Sequence, residues 1–83
     1  MPYYILTCRS LTYAQRAREV LSAAGFRGAV IKTPGAIAAS GCGYSVKLLR
    51  GRLEDALALL GKQGLGPGKI FLEAADGYRE VRP

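Results

Sequence analysis

Histidine and asparagine are absent from the sequence, and cysteine occurs only at positions 8 and 42. Without histidine the chain can form neither a Ser-His-Asp triad nor a Cys-His pair, and it lacks the commonest neutral zinc ligand. Two cysteines so far apart make neither a four-cysteine site nor a CxxC motif. We therefore expect this chain to bind no metal ion and to carry no cofactor.

Long hydrophobic runs are missing as well. The apolar start of the chain is short and soon reaches Arg9, so it does not have the pattern of an N-terminal targeting signal, and no stretch is long enough to span a bilayer. The length of 83 residues suits one small core. We expect one domain over residues 1–74, a C-terminal tail over residues 75–83, no membrane contact and a cytoplasmic location.

The chain is basic, with 12 lysines and arginines, 6 acidic residues and a net charge of +6. Such a charge suits nucleic acid, an anionic substrate or an acidic partner, and it also suits a soluble surface that binds none of these. The basic residues are scattered and form no dense run of the kind found in nucleic-acid-binding arms. We therefore do not expect nucleic acid as a partner, although folding can still gather Arg9, Arg16 and Lys47 on one edge.

The apolar periodicity predicts four strands and two helices. The predicted strands span residues 3–7, 28–32, 44–48 and 69–72, and the predicted helices span residues 11–24 and 52–63. Ser10 or Thr12 can cap the first helix, and Gly25 should end it. A loop of small residues, longer than a hairpin needs, joins the second and third strands.

Strand, helix, strand, strand, helix, strand is the order of the α+β ferredoxin-like βαββαβ fold, a four-stranded antiparallel sheet in the order 4-1-3-2 with both helices on one face. Its first and third strands are antiparallel neighbours, so Cys8 and Cys42 should approach each other. Side-chain direction around a bulge does not follow from the sequence. Cys8 is therefore either a resolving partner for Cys42 or a core residue beneath the first helix.

Cys42 is the candidate reactive residue. It lies between Gly41 and Gly43 and is followed by Tyr44. Glycine neighbours let a partner approach the thiol, and their backbone can turn N–H groups toward a thiolate. The ordinary alternative is a tight turn before a strand, with an inert cysteine that behaves as a small hydrophobe. Both interpretations are open on residue types alone.

Three segments resemble the small bacterial family of selenium/sulfur carrier-like proteins: Ser10-Leu11-Thr12-Tyr13-Ala14, Thr33-Pro34 and Gly41-Cys42-Gly43-Tyr44-Ser45-Val46. The resemblance runs from residue 3 to about residue 72. It implies a one-domain carrier without independent catalysis, whose Cys42 holds sulfur or selenium as a persulfide or selenopersulfide. Its partners would be a donor such as a cysteine desulfurase and an acceptor enzyme.

Two features depart from the family pattern. Residues 35–39 are small and apolar where many members have serine or charged residues, so backbone amides would have to stabilise the anion alone. Cys8 is not a position that the family requires, and its participation is a hypothesis from topology.

Residues around the first helix could assist Cys42. Positive charge from Arg9, Arg16 or Lys47, together with the helix N-terminus, would favour the thiolate. The other candidates, Ser10, Thr12 and Tyr13, could donate hydrogen bonds to bound sulfur or to a docked partner. The alternative is an ordinary role, as helix caps for Ser10 and Thr12 and as a packing residue for Tyr13.

Two functions of other classes stay open. Ferredoxin-like sheets often bind RNA, but the third strand offers only Tyr44 as an aromatic platform. A partner-binding or homodimerising domain would dock through the open face of the sheet, using Tyr4, Leu6, Val46 and Leu48 or the residues that alternate with them. Acylphosphatase, an enzyme of this fold, is excluded because its catalysis needs an asparagine.

Overall fold

A computed structural model describes residues 3–40 and 43–82, without the side chains of residues 39 and 40. Its elements in chain order are β1 (Tyr3–Cys8), α1 (Leu11–Ala23), β2 (Arg27–Lys32), a 3-10 helix (Gly35–Ser40), β3 (Tyr44–Arg50), α2 (Leu53–Lys62), β4 (Ile70–Ala74) and β5 (Gly77–Val81). The fold is α+β, with two α-helices and an antiparallel sheet among the described residues. Neither α-helix is long and apolar enough to cross a membrane.

The sheet has five strands in the order β2-β3-β1-β4-β5, and the expected count of four is wrong. The first four strands keep the order 4-1-3-2, and β5 adds a strand outside β4. β5 lies in the segment that we assigned to a C-terminal tail and pairs with β4 from Ala74↔Gly77 to Ile70↔Val81. The sequence of β5 does not alternate between apolar and polar residues in the way that marks a strand, and its side chains are half-buried or exposed.

The main core lies between the sheet and the two helices. Leu6, Cys8, Val46, Leu48 and Ile70 enter it from the strands. The helices contribute alanines and leucines, namely Ala14, Ala17, Leu21, Ala56 and Leu60. Alanines on the buried stripes let the helix backbones approach the strands closely, which keeps the core thin and well packed.

Side chains alternate across a strand, so Ile5, Thr7 and Ser45 point away from the helices. They are nevertheless buried, with exposures of 1%, 0% and 0%. Ile37 of the 3-10 helix is also buried and does not belong to the helix-side core. The second face of the sheet is therefore covered at Ile5, Thr7 and Ser45.

Three buried hydroxyls on the second face, those of Thr7, Thr33 and Ser45, are hydrogen-bonded. The hydroxyls of Thr33 and Ser45 lie 2.7 Å apart. The backbone N–H of Lys69 donates to Thr7 Oγ1 at 2.7 Å, and the same hydroxyl donates to the Lys69 carbonyl at 3.2 Å. These bonds offset the cost of burying the polar groups.

The predicted start of α1 is confirmed, and the helix ends at Ala23, one residue before the predicted end. Ser10 is its N-cap, and its Oγ accepts a hydrogen bond from the Tyr13 N–H at 3.2 Å. Gly25 follows the helix with a φ of 91°, a left-handed conformation that glycine adopts without strain. Thr12 lies inside the helix and is exposed, so the capping role belongs to Ser10 alone.

Candidate functional site

Cys8 ends β1 and is 7% exposed. Its Cα is paired with that of Tyr44, the first residue of β3. Its side chain belongs to the helix-side core, and Sγ donates a weak hydrogen bond to the Leu6 carbonyl at 3.5 Å. Of the two positions left open by the sequence, the side chain therefore occupies the one beneath α1, at the end of the sheet from which β3 starts.

Cys42 and Gly41 lie outside the described residues, so the approach of Cys8 to Cys42 stays a prediction. Their described neighbour Gly43 accepts a hydrogen bond from the Thr33 N–H at 3.0 Å, and this bond closes the base of the loop between β2 and β3. Gly43 is exposed, and a Cβ built on it would meet no described atom within 4 Å. The chain therefore leaves this loop at an exposed residue, whereas Thr33, at its entrance, is buried.

A cleft of about 240 Å³ opens beside the Cys8 side chain. Its walls are the end of β1, the start of α1 and the turn before β4, through Cys8, Arg9, Tyr13, Leu65, Gly66, Pro67 and Gly68. We call it the Cys8 cleft. It places a thiol, a guanidinium and a phenol around one opening.

Backbone hydrogen bonds hold the glycine-rich wall of the Cys8 cleft. Gly68 N–H donates to the Thr7 carbonyl, and Thr7 N–H donates to the Lys69 carbonyl, both at 2.9 Å. A Cβ at Gly68 would lie 3.2 Å from Thr7 Oγ1. Glycine therefore suits this position because the turn runs so close to β1.

Arg9 and Tyr13 contact each other at the rim of the Cys8 cleft. The Arg9 guanidinium carbon lies 4.8 Å from the centre of the Tyr13 ring, within cation–π distance. The contact holds the exposed Arg9 charge near the start of α1. Arg16 is exposed further along α1 and is not among the residues lining the cleft.

Lys47 lies on the other face of the sheet. Its Nζ is 2.9 Å from Glu73 Oε1 and 4.7 Å from the centre of the Tyr3 ring. The Tyr78 hydroxyl donates to the same carboxylate at 3.4 Å. The suggestion that Lys47 gathers with Arg9 and Arg16 on one edge is therefore wrong, because it faces away from α1 and is paired with an acid.

The residues proposed for docking through an open sheet face are mostly in the core. Leu6, Val46 and Leu48 are at most 3% exposed and pack with Tyr4 against the helices. Of the residues that alternate with them on β1 and β3, Ile5, Thr7 and Ser45 are buried as well, and Tyr3 and Lys47 are half-buried.

The second face of the sheet also carries aromatic residues, whose shared position is not evident from the sequence. The strand register places Tyr3, Phe71 and Tyr78 on it, close to Glu73. Lys47 on this face is paired with Glu73, and Glu80 adds a further negative charge. The pairing makes Lys47 less available to a phosphate backbone, which proteins bind through lysine and arginine.

Residues 3–72 match the model of a protein family described as "Putative Se/S carrier protein-like". The chain belongs to this family. The match spans β1 to the middle of β4 and includes the Cys42 motif, both helices and the Cys8 cleft. No curated protein and no solved structure matches the chain.

Within this Se/S carrier-like chain, β5 lies beyond the family match. No cluster of three metal-ligating side chains occurs in residues 3–40 and 43–82. The sequence alone assigns no functional role to Gly64-Leu65-Gly66-Pro67-Gly68, part of which forms the wall of the Cys8 cleft. Three glycines and a proline in five residues were the available signal, since such a turn can lie against a neighbouring strand.

Proposed function

We propose that this Se/S carrier-like protein holds sulfur or selenium on Cys42 and passes it between two partner enzymes. Membership of the family, through a match that includes the Cys42 motif, is the observation that supports the proposal most directly. The exposed Gly43 beside it supports access by a large partner. The proposal places the protein in the cytoplasm, where thiols are kept reduced.

The chemistry is an exchange of one chalcogen atom. The Cys42 thiolate attacks the outer sulfur of a donor persulfide, R–S–SH, to give Cys42–S–SH and the donor thiolate R–S⁻. An acceptor thiolate then attacks the outer sulfur of Cys42–S–SH and releases the Cys42 thiolate. No electrons enter or leave the pair of reactants, so the protein needs no redox cofactor. Selenium follows the same scheme when it replaces the outer sulfur.

The described residues would assist docking more than chemistry. Arg9, held by the Tyr13 ring, supplies positive charge at the start of α1, where the helix N-terminus adds to it. Ser10 is occupied as the helix cap, so its assigned contact with bound sulfur is secondary. Thr12 and Arg16 are exposed and remain candidates for contact with a docked partner.

Although Cys8 is a core residue, it also lines the Cys8 cleft, and we propose that it acts from this position as a resolving thiol. Its thiolate would attack the inner sulfur of Cys42–S–SH, forming a Cys8–Cys42 disulfide and releasing HS⁻. A dithiol reductant would then return both cysteines to the thiol form. The pairing of Cys8 with Tyr44, two residues after Cys42, supports this role.

Intact mass tests the carrier function. The protein is incubated with a cysteine desulfurase and cysteine, and wild type, Cys42→Ser and Cys8→Ser are compared with and without reductant. We expect the wild type to gain the mass of one sulfur atom, reversibly, and Cys42→Ser to gain none. A resolving Cys8 predicts that Cys8→Ser keeps its extra sulfur longer than wild type does.

Two results of the mass measurement would contradict these proposals. A wild type with accessible, reduced thiols that gains no sulfur would overturn the carrier function and favour a partner-binding domain. Equal persulfide lifetimes in wild type and Cys8→Ser would remove Cys8 from the mechanism without affecting Cys42.

A further inference from the structure

β2 is one of the two edges of the sheet. An edge strand has backbone N–H and C=O groups that no neighbouring strand pairs. The Thr33 N–H to Gly43 carbonyl bond sets which groups these are, because hydrogen-bonded and non-hydrogen-bonded pairs alternate along an antiparallel ladder. Ile31 and Ala29 are then bonded to β3, and Gly28, Val30 and Lys32 direct their backbone groups outward. Among the described residues, nothing outside the sheet hydrogen-bonds to them.

The β2 edge is apolar in its middle and basic at its ends. Ala29, Val30 and Ile31 are half-buried, and they lie between Arg27 and Lys32. Arg27 is paired with Arg50 of β3, so one end carries two positive charges. In the described part of the chain, none of these three basic side chains has an acidic partner.

The opposite edge is different. β5 carries both signs of charge, and the exposed Arg82 just after it lies 3.9 Å from Glu80. Mixed charges of this kind blunt an edge. The β2 edge therefore selects for an acidic partner, whereas the β5 edge does not.

A second copy of the chain is a poor occupant of the β2 edge. Antiparallel pairing of two β2 strands would bring Arg27 of one copy close to the Lys32 end of the other. Like charges so placed oppose pairing. An extended segment of another protein, with acidic residues at its ends, satisfies both the unpaired backbone groups and the charges.

The position of β2 connects this edge to the carrier site. β2 is followed by Thr33 and then by the loop that contains Cys42, which returns at Gly43. A strand added beside β2, about 4.8 Å away, would run toward that loop. We propose that β2 docks an acidic, extended segment of the sulfur-donor enzyme by strand addition. This proposal rests on the proposed carrier function.

Lys32→Pro tests the backbone contact. Lys32 is exposed and its N–H points outward, so proline removes an edge donor and leaves the ladder with β3 intact. Ile31 already has the extended conformation that a residue before proline requires. Lys32→Ala is the matched control, since it removes the same side chain and keeps the N–H. Circular dichroism and thermal unfolding check that both variants are folded.

Each variant is loaded with sulfur in two ways and followed by mass. A cysteine desulfurase with cysteine must dock before transfer, whereas inorganic polysulfide transfers sulfur without docking. We expect desulfurase loading of Lys32→Pro to be about tenfold slower than that of Lys32→Ala, because a partner carbonyl loses its donor. Polysulfide loading should be equal in the two.

Charge reversal at Lys32 tests whether the positive charge of the β2 edge contributes to docking. Lys32→Glu should slow desulfurase loading, and Lys62→Glu, the same charge change at the end of α2, should not. The difference in desulfurase loading rate between Lys32→Glu and wild type should become smaller at high ionic strength.

The outcomes separate the two proposals. Equal desulfurase loading of Lys32→Pro and Lys32→Ala would overturn strand addition and leave the carrier function in place. If polysulfide transfers sulfur to the wild type and the desulfurase does not, the proposal that the sulfur-donor enzyme occupies the β2 edge would be overturned. A wild type that neither reagent loads would overturn the carrier function itself.

Discussion

Gly51 joins β3 to α2 in a conformation that only glycine adopts easily. Its φ is 115°, and a Cβ built on it would lie 2.8 Å from Phe26 Cε1 and nearer still to Cδ1. Two costs therefore add in Gly51→Ala. The backbone strain is about 1–2 kcal/mol, and overlap with a packed ring adds about 1–3 kcal/mol. We expect the free energy of unfolding to fall by about 3 kcal/mol.

Two other glycines serve as comparisons for the strain and the overlap at position 51. Gly25 has a φ of 91° with no atom within 4 Å of a built Cβ, so Gly25→Ala should pay only the backbone strain. Gly61, inside α2, is also open to a Cβ, and Gly61→Ala should stabilise the protein by about 0.5–1 kcal/mol.

Urea unfolding followed by circular dichroism measures all three variants. The double variant Gly51→Ala/Phe26→Ala tests the contact directly, because removing the ring should make the alanine at position 51 less costly than it is in wild type. The reasoning is refuted if Gly51→Ala is no more destabilising than Gly25→Ala, or if the cost at position 51 does not depend on Phe26.

Two further substitutions test individual hydrogen bonds. Ser10→Ala removes the cap of α1 and should cost about 1 kcal/mol in urea unfolding, whereas Ser10→Asp should retain most of the stability; equal stability of all three proteins would contradict the capping role. Ser45→Ala leaves the Thr33 hydroxyl buried without its partner and should cost about 1–3 kcal/mol. Thr33→Val in the same chain should recover part of that loss, and additive losses in the double variant would argue against a direct bond between the hydroxyls.

The Cys8 cleft shows how chemistry and packing share one position. Cys8 is a core residue by burial, and the same side chain lines an opening with Arg9 and Tyr13. In the resolving role proposed for it, the Cys8 thiol would act from beneath α1, at the end of the sheet where its Cα is paired with that of Tyr44.

The sequence by itself determined the elements whose signals are local. The apolar spacing, Ser10 and Gly25 mark α1, because capping and the 3.6-residue period act within a few turns of one helix. The order of the elements determined the neighbours of β1 and so brought Cys8 to Tyr44. The Gly-Cys-Gly motif located the candidate thiol for the same reason, since its chemistry depends on adjacent residues.

Only the tertiary structure decided which face each side chain occupies and what lies across from it. Lys47 meets Glu73, and Thr7 meets Lys69, across strands far apart in the chain. β5 became a strand because β4 offered it an edge, although its own residues lack an apolar pattern. A shift of one residue in register would reverse every side chain of a strand, and register is set by packing over the whole sheet. Nothing local to Cys8 could therefore determine that its thiol faces the helices.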